Sequence, residues 1–256
     1  MSSIPVVRVF ANGQKLARAA ADFIVETGIQ AVESRGGFSV ALSGGGTPEP
    51  VYRLLAGDDY RDRIDWKSTQ VFWGDERCVP PDDLGSNYGQ AKSVLLDYVA
   101  IPTAQIWRIK GELAPEEAAA DYREQLAGLG SAERPWPVLD LALMGLGADG
   151  HTASLFPGAP NPDEERLAAI PVTANYAGRP AKRVSLTPPV FNSARNVLFL
   201  VSGANKAPAV AAVLDPDADS DQLPAARIMP EKGTLLYFVD ELAASRLNER
   251  SLPERP

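Results

Sequence analysis

The chain is 256 residues long, 45% hydrophobic and 23% charged, which supplies apolar surface for a sizeable core in one large α/β domain or two small ones. Its formal net charge of −8, with no lysine- or arginine-rich run, argues against a nucleic-acid or anionic-membrane partner, and the lone cysteine, Cys78, excludes an internal disulfide or a cysteine-built metal site. The opening residues, MSSIPVVRVFANGQKLA, lack the basic and long apolar regions of a signal peptide, and no apolar run reaches the length of a membrane span. A cytoplasmic protein is expected.

Val6 to Phe10 reads as a short strand. Asn12 is placed to cap a helix whose Leu16, Ala20, Phe23, Ile24 and Ala31 share one face, and Gly36-Gly37 stop it. Phe38 to Leu42 is a buried strand that empties into Ser43-Gly44-Gly45-Gly46-Thr47-Pro48. Thr47 is expected to cap, and Pro48 to open, a helix carrying Val51, Tyr52, Leu54 and Leu55. Thr69 to Trp73 is a third strand leading into a loop, Gly74-Asp75-Glu76-Arg77. After Pro80-Pro81 and Ser86-Asn87-Tyr88-Gly89 the next helix carries Val94, Leu95 and Tyr98. Ile106-Trp107 is a short strand, and Pro115 to Leu129 is a helix that opens with acidic residues, as the helix dipole favours.

Leu139 to Gly158, LDLALMGLGADGHTASLFPG, is the stretch that organises the rest. Leu139, Leu141, Leu143 and Met144, broken only by Asp140 and Ala142, are the pattern of a parallel strand buried on both faces. Gly145, Gly147 and Gly150 spell the dinucleotide fingerprint G-x-G-x-x-G. Pro157 and Gly158, however, cut any following helix to about two turns, and Pro160 and Pro162 come next, so no nicotinamide or flavin cofactor is expected.

Ala168 to Val172 and Arg183 to Leu186 read as two strands of a small local sheet, joined by a loop containing Gly178. Val197 to Val201 ends in Ser202-Gly203 before a helix carrying Lys206, and Leu235 to Val239 is the last strand, followed by a short helix and a polar tail. This alternation predicts an α/β fold: a doubly wound, mostly parallel, Rossmann-like sheet with a small additional β-containing region. A single domain over residues 1–256 is expected, with the 160–190 region as a subdomain.

Four predicted strands end in glycine-containing turns with polar residues just beyond, and in a parallel sheet those ends lie along one edge. Ser43, Gly44, Gly45, Gly46 and Thr47 suit an anion, because glycines let backbone N–H groups close around oxygen atoms. No Gly-Lys-Ser/Thr follows, so this is not a nucleotide P-loop. Lys206 could add a positive charge, while Arg77 and Arg183 suit either salt bridges or ligand contacts. Asp75 and Asp149 each follow a buried strand, where a carboxylate is costly unless paired, capping or functional. His151, the only histidine, stands directly after Asp149-Gly150 and is poised for acid–base work. No G-x-S-x-G elbow occurs, and a zinc site would have to be built almost wholly from carboxylates.

SGGGTP, WGDER, SNYG, GLGADGHTASLFPG and SGANKA, in that order between about Phe38 and Lys206, resemble the 6-phosphogluconolactonase family. The resemblance implies a fold shared with glucosamine-6-phosphate deaminase and hydrolysis of 6-phospho-D-glucono-1,5-lactone in the pentose phosphate pathway, with no required cofactor or metal. It implies a phosphorylated sugar lactone as partner and a monomer or weak homo-oligomer. The phosphate would sit at the Ser43–Thr47 loop with Lys206 and Arg183. His151 would take a proton from the attacking water, and Arg77 or a backbone N–H of the glycine turn would hold the oxyanion. Asp149 or Asp75 would orient the imidazole or bind sugar hydroxyls. The related deaminases read H-I-A-F-N-E and so place a glutamate five residues after the histidine. This chain has Phe156 there, which disfavours deamination. The alternatives are a sugar-phosphate isomerase or deaminase, and a non-catalytic sugar-phosphate-binding module. A regulator of the second kind would carry a basic helix-turn-helix segment, and none is visible.

Overall fold

A computed structural model describes residues 4–158, 161–174, 178–215 and 222–247. Strand β1 (Val6–Phe10) leads into α1 (Gly13–Arg35), whose N-terminus is closed by Asn12 accepting from the Gln14 and Lys15 N–H groups. Gly36 ends it at φ 76°, the left-handed conformation that glycine adopts without steric cost. Then come β2 (Phe38–Leu42), α2 (Glu49–Ala56), β3 (Thr69–Trp73), β4 (Asp75–Arg77), α3 (Asn87–Val94), β5 (Ile106–Trp107) and α4 (Pro115–Ala127). The second half adds β6 (Leu141–Gly145), β7 (Ala169–Thr173), β8 (Lys182–Leu186), α5 (Pro188–Asn192), β9 (Asn196–Val201), α6 (Ala207–Leu214) and β10 (Thr234–Asp240).

Among the described residues, seven strands form a parallel sheet in the order β1-β10-β9-β6-β2-β3-β5. From β2 the chain winds outward through β3 to β5. It then returns to the other side of β2 at β6 and continues through β9 to β10. The winding reverses between β2 and β6, which opens the crevice where such sheets bind ligands. The central strands are sealed on both faces: Val40, Val71, Leu143 and Leu198 are buried on one, Ala41, Phe72, Met144 and Phe199 on the other. Each of these side chains larger than alanine contributes about 1.5–3 kcal/mol by leaving water, which holds the strand ends in register. No helix among the described residues is long and apolar enough to cross a membrane.

A second, antiparallel sheet runs β4-β8-β7. Its third strand corrects the expected loop at Asp75–Arg77. The chain passes from β3 to β4 through Gly74 alone, whose N–H donates to Leu42 O and whose carbonyl accepts from Leu186 N. A β-carbon on Gly74 would make only ordinary van der Waals contact with the Phe191 ring, 3.5 Å away.

Other expectations shift for local reasons. Thr47 does not cap α2: the cap position falls to Pro48, whose ring carries no acceptor, so no side chain closes the helix start. The helix starts at Glu49 with Pro48 before it. No helix follows His151. Thr152 and Leu155 instead close a tight antiparallel bridge around Ala153, which adopts a left-handed φ of 49°. α3 ends at Val94, and Tyr98 lies exposed at the end of a single 3-10 turn. Lys206 likewise ends a 3-10 turn ahead of α6, and turns rather than a helix follow β10. Pro160 and the polar tail beyond Leu247 lie outside the described residues.

Candidate active site

The loops after β9, β6, β2 and β3 meet at one edge of the sheet because those strands are neighbours there and run parallel. Two tyrosines fix where β2 and β3 stop. The Tyr52 hydroxyl donates to Ser43 O and accepts from Ser43 N, at 2.7 and 3.1 Å. Tyr122 makes the same two bonds to Trp73, both at 3.1 Å. Each phenol stands in for a ladder partner that the diverging chain no longer provides. Beyond Tyr52's clasp, Gln90 of α3 holds Gly45 from both sides, accepting from its N–H at 2.9 Å and donating to its carbonyl at 3.1 Å. Gly45 has φ 106°, outside the reach of an ordinary side-chain-bearing residue. The Gly44, Gly46 and Thr47 N–H groups find no acceptor among the described residues. Such a row of open donors suits an anion.

From β6 the chain turns at Gly145-Leu146-Gly147. The Gly147 N–H donates to His151 O at 2.7 Å, and the Thr152 hydroxyl to Gly145 O at 2.8 Å. This closed turn sets Asp149 Oδ1 2.6 Å from His151 Nδ1 and 3.2 Å from the His151 N–H. A carboxylate only accepts, so Nδ1 carries the proton and Nε2 is the basic nitrogen. Space for the pair exists because residue 147 is glycine: a β-carbon there would lie 2.0 Å from His151 Nδ1 and 2.4 Å from Asp149 Oδ1. Burial lowers the His151 pKa below its ordinary value; the charges of Asp149 and Asp75 oppose that and Lys206 adds to it. Burial works against ionisation of Asp149, but the His151 ring and backbone donors outweigh it and hold the carboxyl below its usual range. At neutral pH the pair is therefore carboxylate and neutral imidazole.

Asp75 opens β4 and is buried. Asn87 Nδ2 donates to its Oδ1 at 3.1 Å and Ser154 Oγ to its Oδ2 at 2.6 Å, and no cation among the described residues lies within ion-pair distance. Arg77 and Arg183 face each other as register partners across β4 and β8. Arg77 donates to Gly85 O and Arg183 to Pro180 O, and neither forms an ion pair with Asp75 or Asp149. Like charges directly opposite one another in a sheet are destabilising, so this placement suits an anionic ligand between them and the glycine loop. Lys206 adds a third positive charge; burial lowers its pKa, Asp149 opposes that and Arg179 reinforces it.

Together Ser43, Gly44, Gly45, Gly46, Thr47, Asp75, Arg77, His151, Arg183 and Lys206 line one cleft of about 400 Å³. Asp149 stands behind His151 and is absent from the wall. A larger hollow of about 970 Å³ adjoins it and shares Gly45, Gly46, Arg77 and Arg179. Its remaining charges are mostly paired among themselves, Arg53 with Glu49 and Lys92 with Asp97, and it contains no imidazole. The smaller cleft is the one equipped for chemistry.

Sequence reasoning did not single out Asn87, Gln90, Ser154 or Arg179, although Asn87 and Arg179 line the cleft and the other two brace it. The Ser-Asn-Tyr-Gly run marks a capped helix start, and Ser86 does cap α3 by accepting from Gly89 N. Nothing in that pattern says what the helix start faces. Phe156 packs on the imidazole, with ring centroids 4.8 Å apart, and the Arg183 guanidinium lies 5.6 Å over the Phe156 ring.

The family model described as glucosamine-6-phosphate isomerases/6-phosphogluconolactonase matches residues 11–237. A 6-phosphogluconolactonase of Synechocystis sp. is 40% identical over 246 residues, covering 95% of this chain and 98% of that protein. One from Haemophilus influenzae is 37% identical over 208 residues, covering 81% and 87%. Among solved structures, the 6-phosphogluconolactonase of Trypanosoma brucei superposes with a TM-score of 0.83 at 30% identity, covering 96% of this chain and 100% of that one. A monomeric glucosamine-6-phosphate deaminase superposes at 0.78 with 21% identity, a likeness of fold.

Proposed function

Because this chain belongs to the family of glucosamine-6-phosphate isomerases and 6-phosphogluconolactonases, we propose that it hydrolyses 6-phospho-D-glucono-1,5-lactone to 6-phospho-D-gluconate, with His151 as the base. The 6-phosphate lies against the open N–H groups of the glycine loop, and Arg77, Arg183 and Lys206 neutralise it. His151 Nε2 takes a proton from a water as its oxygen bonds to the lactone carbonyl carbon. The carbonyl oxygen becomes an oxyanion facing the same cationic wall. On collapse the bond between that carbon and the ring oxygen breaks, and the imidazolium returns its proton to the departing oxygen. Asp149 keeps the imidazole in the required tautomer and steadies its charge, which leaves Asp75 to hold sugar hydroxyls. Lactones already hydrolyse in water, so one base and good positioning, each worth several kcal/mol at best, suffice.

The observation favouring hydrolysis over deamination is Phe156. Where a deaminase would need a second carboxylate, an aromatic ring rests on the imidazole. The test is acid release from freshly prepared 6-phosphogluconolactone, with and without a chelator, alongside ammonia release from glucosamine 6-phosphate. Rapid acid release without ammonia is expected. Ammonia as the main product overturns the reading, and binding of sugar phosphates without turnover makes the chain a sensor.

A further inference from the structure

Asp75 is a buried carboxylate at the cleft, and among the described residues no cation lies within ion-pair distance of it. Such a group keeps one orientation only if neighbouring donors hold it. Its two donors come from different places: Ser154 on the turn that carries His151, and Asn87, the first residue of α3. Asn87 holds it twice, since Nδ2 donates to the Asp75 backbone carbonyl at 2.8 Å as well as to the carboxylate. Asn87 is itself fixed. Its N–H donates to Glu76 Oε1 at 2.7 Å, while Glu76 Oε2 accepts from Tyr88 N and Ser86 Oγ. Glu76, a buried carboxylate on β4, thus grips the first turn of α3, and α3 grips the residue next to it.

Asn87 also explains the glycine at position 44. A β-carbon on Gly44 would lie 1.7 Å from Asn87 Oδ1, so the carboxamide lies directly against the anion loop. That oxygen is buried and has no hydrogen-bond partner among the described residues. The amide's orientation follows from its donors, because Nδ2 must face the Asp75 oxygens. Asn87 thus ties α3 to strand β4 and abuts the loop after β2, while Asp75 joins this assembly to the histidine turn through Ser154.

We propose that Asn87 is a positioning residue of the reaction, acting through Asp75: it aims the carboxylate into the cleft against the histidine turn. The proposal rests on the lactonase reading above and on Asp75 meeting the sugar. Asn87→Asp keeps the side chain's shape, removes its donor and sets a carboxylate against a carboxylate. Lactone hydrolysis by N87D, D75N and the D75N/N87D double variant forms a double-mutant cycle. The expected result is a loss in kcat of about 10- to 100-fold for N87D, the range of a lost charge-assisted hydrogen bond. In Asn87→Ala, which sets no new charge against the anion loop, the competitive inhibition constant of inorganic phosphate should stay within about threefold, since the cations and the open N–H groups of the loop remain. The double variant should be no slower than D75N alone, because Asn87 has nothing left to aim once the carboxylate is gone. Additive losses, or a wild-type kcat in N87D, overturn the proposal. Thermal unfolding is followed for each variant, and if N87D does not fold, Asn87→Ala goes through the same cycle with the same criteria. A wild-type chain that does not hydrolyse the lactone overturns the proposed function instead.

Discussion

Replacing Asp149 by asparagine removes the charge that faces His151 Nδ1 while keeping the size of the side chain. The bond is short, 2.6 Å, and charge-assisted, a type that contributes about 1.5–3 kcal/mol. The Asp149 side chain is 40% exposed, so solvent screens the interaction and the lower part of that range applies. At about 1.4 kcal/mol per tenfold, the plateau of kcat/KM should fall at least about 10-fold. The pH profile carries the sharper signature. The His151 pKa already lies below its ordinary 6.5, because burial lowers it more than Asp149 raises it. Without the carboxylate it falls further. The acid limb, where the base is lost to protonation, should therefore move to lower pH even as the plateau drops. The assay is initial-rate acid release from fresh lactone across about pH 5 to 8, the interval in which imidazole titrates. An acid limb that moves upward, or a plateau within threefold of wild type, would refute the assignment of Asp149 as the residue that orients and charges the base.

His151→Ala should lower turnover by about two to four orders of magnitude with folding intact, the usual contribution of a general base; circular dichroism and rates on the same preparation check both halves. Lys206→Ala should raise KM about 10-fold or more with kcat nearly kept, since a half-buried cation at the proposed phosphate position contributes on the order of 1.5–3 kcal/mol. A collapse of kcat at unchanged KM would remove it from the phosphate site. Gly147→Ala should disable the enzyme about as severely as losing Asp149, because its methyl group would intrude on both members of the pair. Normal rates in that variant would mean that the turn can relax and that the glycine is not required.

The parallel sheet was legible because its strands are short apolar blocks bounded by glycines: Phe38–Leu42 and Thr69–Trp73 begin and end where the pattern says. The winding reversal was not, since no local pattern reports that β6 lies beside β2. Asp75–Arg77 read as a loop because its partner strand, β8, lies far along the chain and only pairing makes those residues a strand. The same long-range pairing brings Arg77 opposite Arg183. Asp149 and His151 were legible as a pair because they are two residues apart, whereas their division of labour with Asp75 depended on which carboxylate faced Nδ1. Asn87 stayed hidden for a physical reason: its role lies in what a helix start faces, and sequence records only that a helix starts.

The aromatic ring at position 156 also bears on how far apart the two reactions of this fold lie. A glutamate there would bring a second acid toward the imidazole only in competition with a nearby cation. The new carboxylate would emerge beneath the Arg183 guanidinium, which now lies over the ring, and the two would pair. That would draw the arginine from the proposed phosphate position and strip the imidazole of the ring packed on it. A chain with that one change would therefore lose two contacts of the present site before gaining a deaminase arrangement. The lactonase and deaminase branches would then be separated by the order in which mutations must occur as well as by the residue itself.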